Sequence, residues 1–150
     1  MKVSLRATYG IIAAVDLAMH HAEQPVCAKS IAKRQSIPSR FLEQVLHAMK
    51  KAGVVTSLRG AQGGYVLSRK PAELSVADIL TALEGPLLPT NGAADHKTGS
   101  SGGAKREALL NHIWERVKRA EMSVLSEVTV EELANRQRAL EAQHALMYHI

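Results

Sequence analysis

Three groups of side chains in this 150-residue chain are of types and spacings that do chemistry. Ser39, Arg40, Glu43 and Gln44 fall, on a helical period, opposite Leu42, Val45 and Met49. Those polar types match base-pair edges. A guanidinium bonds guanine or phosphate, a glutamine amide pairs with adenine, and a carboxylate accepts from the cytosine amino group. A carboxylate facing a polyanion is repelled unless it reads something, which makes Glu43 informative. Further on, Arg59 opens the run Arg59-Gly60-Ala61-Gln62-Gly63-Gly64, where no bulky neighbour blocks close approach. A narrow minor groove carries enhanced negative potential and attracts such an arginine. The third is Cys27, the single thiol, beside Lys29 and near a helix start that can lower its pKa. It is a candidate redox switch, although free cysteine is more often a buried, inert small residue.

Other chemistries find less support. One cysteine excludes an internal disulfide framework and a structural zinc site built on several thiolates. His20 and His21 are adjacent, and adjacent helical residues point apart, so they read as structural. His96 and His112 sit on a loop and a helix, and read as surface histidines rather than metal ligands. No metal site is expected. No Ser/His/Asp, paired-carboxylate or phosphate-loop arrangement stands out, and the chain reads as non-enzymatic. The alternative to a DNA reader is a module that keeps the same helices and hairpin for protein–protein contact.

Charge points the same way as the motifs. Residues 1–86 hold 11 Lys/Arg against 6 Asp/Glu, whereas 87–150 hold 8 of each, so the whole formal excess of +5 lies in the first half. That asymmetry suits a polyanion-binding module there. Apolar residues reach 46% but aromatics only 3%, so the core must be aliphatic. No apolar run approaches the ~18–20 residues of a membrane span. Arg6 and Asp16 interrupt the apolar N-terminal stretch, which lacks a convincing cleavage site; the expectation is a soluble, cytoplasmic protein.

The elements that must position these residues follow from periodicity. Leu5, Tyr9, Ile12, Val15 and Met19 mark a first helix, about Ser4–His20, capped by Ser4. A short helix about Ala28–Arg34 turns Ile31 and Ala32 inward and Lys29, Lys33 and Arg34 outward. Ser36-Ile37-Pro38 marks a tight turn into a third helix, about Ser39–Ala52, ended by Gly53. Val54–Leu58 and Tyr65–Leu67 read as a hairpin around a tip whose three glycines can take positive φ. Ser75-x-x-Asp78 resembles a capping box with Asp in the usual Glu place, opening a helix that Gly85-Pro86 stops. Residues 87–104 read as a flexible glycine- and serine-rich loop. A long helix, about Lys105–Val128, steps through Leu110, Ile113, Val117, Ala120 and Val124 at coiled-coil-like spacing. Thr129-x-x-Glu132 caps a last short helix ending near Asn135, followed by a helix-prone but weakly patterned tail through Ile150. The sum is mainly α with a small two-stranded wing: a winged helix-turn-helix over 1–86 and a dimerisation helix with a tail over 105–150.

The run Ile37–Leu46, with Phe41-Leu42-Glu43-Gln44, and the run Ser57–Tyr65, with Arg59-Gly60-x-x-Gly63-Gly64-Tyr65, resemble the Rrf family of bacterial winged-helix regulators. Tyr9-Gly10, Asp16-Leu17-Ala18 and Thr129-x-x-Glu132-Leu133 also match, so the resemblance covers about 1–136. It implies a homodimeric transcription regulator whose long helix crosses the partner subunit, and a repressor is the expectation. It implies DNA contacts from Ser39, Arg40, Phe41, Glu43, Gln44 and the wing residues Arg59, Gly60, Gly63 and Gly64, on a palindromic double-stranded operator. Many members hold an iron–sulphur cluster on three cysteines before the dimer helix. Here that stretch has none, and Asn111 stands where the family's histidine ligand would fall, with His112 one place off. No cofactor is therefore expected. A small molecule between dimer helix and head, a protein effector, or oxidation of Cys27 are the routes left for regulation.

Overall fold

The computed structural model describes residues 2–20, 24–86 and 101–149, with side chains from 103 onward in the last segment. Helix α1 (Leu5–His20) starts where Ser4 Oγ accepts from the Ala7 N–H at 3.0 Å. It buries Ala13, Ala14 and Leu17. Helix α2 (Ala28–Gln35) ends at Ser36, which takes a left-handed conformation (φ 53°) and turns the chain sharply. The turn is closed by the Ile37 N–H donating to the Ala32 carbonyl at 3.0 Å, with Ile37 itself buried. Helix α3 (Ser39–Lys51) buries Leu42, Val45, Leu46 and Met49, the stripe its sequence period requires.

Strands β1 (Val55–Leu58) and β2 (Gly64–Leu67) pair antiparallel, with Leu58 opposite Gly64. A 3-10 turn (Pro71–Glu73) leads to α4 (Val76–Glu84). Its capping box is complete: Ser75 Oγ accepts from Asp78 N–H and the Asp78 carboxylate from Ser75 N–H. The aliphatic core joins Leu17, Ile31, Leu42, Leu46, Met49, Val55, Leu74, Ile79 and Val130. The whole is a winged helix-turn-helix head continued by two long helices.

Those two helices depart from expectation. Helix α5 runs Ser101–Glu127 and so begins before Lys105. Gly102 and Gly103 lower helix propensity without forbidding it, and a long helix extends into them. The rest of the expected loop, 87–100, lies outside the described residues. Helix α6 runs Val130–Tyr148 rather than stopping near Asn135. Residues 136–148 contain no Gly or Pro and are rich in Ala, Leu, Glu, Gln, Arg and Met, so propensity alone carries the helix on. The α5–α6 junction is stitched to the head by Val76 N–H to Val128 O (2.9 Å) and Val130 N–H to Leu74 O (2.8 Å). Among the described residues no helix is long and apolar enough to cross a membrane.

Helix α2 is short and buries only Ile31 and Ala32. A polar clamp fixes it against α1. Asp16 on α1 is fully buried, and Arg34 grips it side-on, Nη2 to Oδ1 at 2.6 Å and Nε to Oδ2 at 3.0 Å. Gln35 Nε2 donates to Oδ2 at 2.8 Å. Arg34 is exposed, as its neighbours suggested, but its guanidinium reaches back to Asp16, a contact the sequence does not show. Burial raises the Asp16 carboxyl, but the bonds from Arg34 and Gln35, with the Arg34 charge and His20, together hold it below the usual carboxylate range.

The clamp predicts both a stability loss and its pH dependence. Arg34→Ala should lower unfolding free energy near neutral pH by about 3 kcal/mol, the low end for a broken buried pair, since the Arg34 side chain is 36% exposed. A lowered folded pKa gives stability that is present above the unfolded pKa and lost as pH falls through the folded one. In the variant, burial favours the protonated carboxyl, so the gap from wild type should narrow on acidification. Urea unfolding across pH measures this; a pH-independent gap would remove the clamp from the account.

Candidate nucleic-acid interface

Helix α3 is held at its start from two sides. Buried Ile37 anchors the preceding turn, and Pro38 stands as the capping residue just outside the helix. The Phe41 ring packs edge-to-face on Tyr9 of α1, centroids 5.4 Å apart. Phe41 is thus half-buried against the head, unlike the other expected contacts on this helix. Ser39, Arg40, Glu43 and Gln44 are exposed. Arg40, Glu43 and Gln44 line one shallow hollow together with His47, a residue the sequence reading passed over. Its signal was available: His47 completes the i, i+3/i+4, i+7 line that begins at Arg40.

The wing is joined to the helix-turn-helix by more than its own hairpin. Val26, between α1 and α2, pairs with Tyr65 of β2, Val26 N–H to Tyr65 O at 2.9 Å and Tyr65 N–H to Val26 O at 2.8 Å. This contact explains Gly64, where a Cβ would lie 2.5 Å from the Val26 carbonyl carbon and oxygen. Of the three tip glycines only Gly60 has positive φ (116°); Gly63 is needed for room against the Leu58 and Gly60 carbonyls. Arg59 leaves the end of β1 fully in solvent, with Gly60 next to it.

Cys27 is exposed and caps the start of α2. It opens on a hollow it shares with Ser30 and Arg34 and with the wing-tip residues Gln62 and Gly63. It makes no side-chain capping bond, yet the backbone N–H groups of Ser30 and then Lys29 pull the thiol below its ordinary pKa. The expectation of a buried cysteine is thus not met: a helix start, not the core, surrounds it.

On α5 the half-buried positions after Gly103 are Lys118, Glu121, Met122 and Leu125, the side laid on α4. Leu110 (50% exposed), Ile113 (46%), Val117 (43%) and Val124 (60%) face solvent, as do Ala120 and Trp114. His20 Nδ1 lies 2.9 Å from the Asp16 carbonyl oxygen, a structural contact. His21 and His96 lie outside the described residues, and His112 is exposed on α5. Among the described residues no three His, Cys, Asp or Glu side chains gather as a metal site.

This head, wing and helix pair are those of a known group of proteins. Residues 3–136 match the family described as Rrf2, Iron-dependent Transcriptional regulator. The chain belongs to the Rrf2 family of transcriptional regulators. It is similar to the HTH-type transcriptional regulator CymR of Bacillus subtilis, 38% identical over 90% of this chain and 91% of that one. The solved structure of CymR, the global cysteine regulator of B. subtilis, superposes with a TM-score of 0.73, 37% identity and coverage of 91% and 98%. IscR of T. potens gives 0.72 at 39% identity, covering 95% of this chain and 91% of that one. As an Rrf2 protein the chain lacks the cysteines for a conventional cluster. Such clusters rest on several thiolates, and this chain has only Cys27, at the start of α2 beside the wing and not on the segment between α4 and α5. Its donor set does not fit a thiolate-held cluster.

Proposed function

We propose that this Rrf2 protein is a homodimeric, sequence-specific DNA-binding repressor that works without a conventional iron–sulphur cluster. The observation that carries the reading is the exposed Arg40–Glu43–Gln44 edge of α3 on a head whose adjoining wing ends in an unobstructed Arg59. The first turns of α3 enter the major groove, with Ser39 and Arg40 nearest its floor and walls. Glu43 and Gln44 read base edges, and Phe41 sets the helix at its angle through Tyr9. Arg59, with Gly60, Gly63 and Gly64 allowing close approach, enters the adjacent minor groove.

Two copies join along Leu110, Ile113, Val117, Ala120 and Val124. An apolar stripe of this length left in solvent marks an interaction surface. A two-fold pair of heads reads a roughly palindromic operator. Bound there, the dimer blocks transcription. The protein acts in the cytoplasm and is not an enzyme. Its signal reaches the DNA-binding heads through a small molecule, a partner protein or the thiol of Cys27. Oxidation at Cys27 would alter a residue that borders both α2 and the wing tip.

Three measurements test this. Arg59→Ala should weaken operator binding with folding unchanged, and if Arg59 meets phosphate the slope of log affinity against log salt should fall by about one. Unchanged affinity and slope would take the wing out of the mechanism, and no DNA shift with wild type would leave a protein–protein module instead. Val117→Glu should sediment as a monomer, because an unpaired charge in a closed seam costs several kcal/mol or so; a dimeric variant would move the interface elsewhere. Protein purified without oxygen should show no cluster absorption and bind its operator as isolated. A brown, cluster-loaded protein would overturn the sensor assignment while leaving the DNA-binding head intact.

A further inference from the structure

We propose that His47 is a specificity-determining residue that reads a guanine beyond the base pair met by Gln44. The inference rests on the DNA-reading assignment of α3 and adds a contact to it. His47 is exposed on α3 and lines the same hollow as Arg40, Glu43 and Gln44. None of these four side chains makes a hydrogen bond or ion pair within the described residues, so the edge presents its donors and acceptors outward. From Arg40 to His47 the helix rises roughly 10 Å, which is about three base steps at 3.4 Å each along a strand. The imidazole therefore lies along the groove past Gln44 and short of Lys50 and Lys51, the basic last turn suited to phosphates.

The ring chemistry narrows the choice of base. An imidazole always has at least one N–H donor. Guanine offers two acceptors, N7 and O6; adenine replaces the second with an amino donor, thymine has the single O4 beside its methyl group, and cytosine presents only a donor in the major groove, so guanine gives an N–H donor the most acceptors. Glu43, one turn before His47, accepts only and is suited to the cytosine amino group. The pair therefore covers opposite edges of G·C pairs within one patch, and Arg40 and Gln44 add one guanine-type and one adenine-type reader.

Selection of bound sequences from random DNA, run in parallel on wild type, His47→Ala, His47→Asn and Gln44→Ala, tests the assignment. His47→Ala should lose discrimination at one base pair per half-site by roughly 5- to 150-fold, at a position different from the one relaxed in Gln44→Ala. His47→Asn should move the preference at that position toward adenine, which asparagine pairs bidentately. The salt slope of both His47 variants should stay at the wild-type value. An unchanged base preference, or a slope that falls by about one, would overturn the proposal, the latter by making His47 a phosphate contact. If wild type enriches no sequence at all, the DNA-reading assignment fails first, and that result is distinct from a failure of His47 alone.

Discussion

A single buried carboxylate governs how α3 is presented. Asp16 is the one charged side chain among the fully buried residues described, and Arg34 and Gln35 satisfy both its oxygens. A lone carboxylate in such a place would be neutralised or expelled. Here it fixes the last turn of α2 on the C-terminal part of α1, and the Ser36 turn leads straight from that point into α3. The angle between α2 and α3 is therefore set from behind by a polar lock and from the front by Phe41 on Tyr9. Aliphatic packing fills the space between but has no directional preference of its own. An ion pair of this kind adds little net stability against an apolar substitute, and its value lies in geometry that only one arrangement satisfies.

The segment between α1 and α2 extends that lock to the wing. Val26 pairs with Tyr65 on its way from one helix to the next, so the hairpin hangs from the same framework as α2. Gly64 has no room for a side chain because of this closeness. Cys27 follows directly, in solvent, with its thiol lowered by the first N–H groups of α2. A chemical change at that sulfur would meet the helix start on one side and the wing tip on the other. Helix α5, by contrast, touches the head on one side only and leaves its apolar seam bare.

The sequence made the head legible because each of its elements has a local cause. Ser4 and Ser75 cap, Ile37-Pro38 turns, the Leu42–Met49 stripe repeats at 3.6, and the hairpin has β-branched arms around glycines. What escaped was set by long-range contact or by the lack of a stop signal. Arg34 looks outward beside Lys29 and Lys33, and only the presence of Asp16 across the fold draws its guanidinium back. Cys27 follows the general bias of cysteine toward the core until the α2 start is seen to be at the surface. Helix α6 lacks a stripe beyond Ala134, so the sequence shows a helix-prone tail without showing that it continues the same helix. At the site, Arg40, Glu43, Gln44 and Arg59 were readable from type and spacing. His47 lay on the same line, one turn past the residues first attributed to the contact.

Membership of the family rests, in this chain, on residues other than metal ligands. The residues that carry the likeness are Phe41–Gln44, Arg59–Tyr65 and the helix starts at Ser75 and Thr129, and all of them build the head or tie the long helices to it. None of them is a metal ligand. A cluster asks for several thiolates, whereas the contacts described for the head use none, so the likeness does not depend on such ligands. The family description names iron, yet this chain's single thiol lies beside the wing tip. That thiol and the contacts that fix the head's geometry share one corner of the fold, where the start of α2, the Val26–Tyr65 pairing and the wing tip meet.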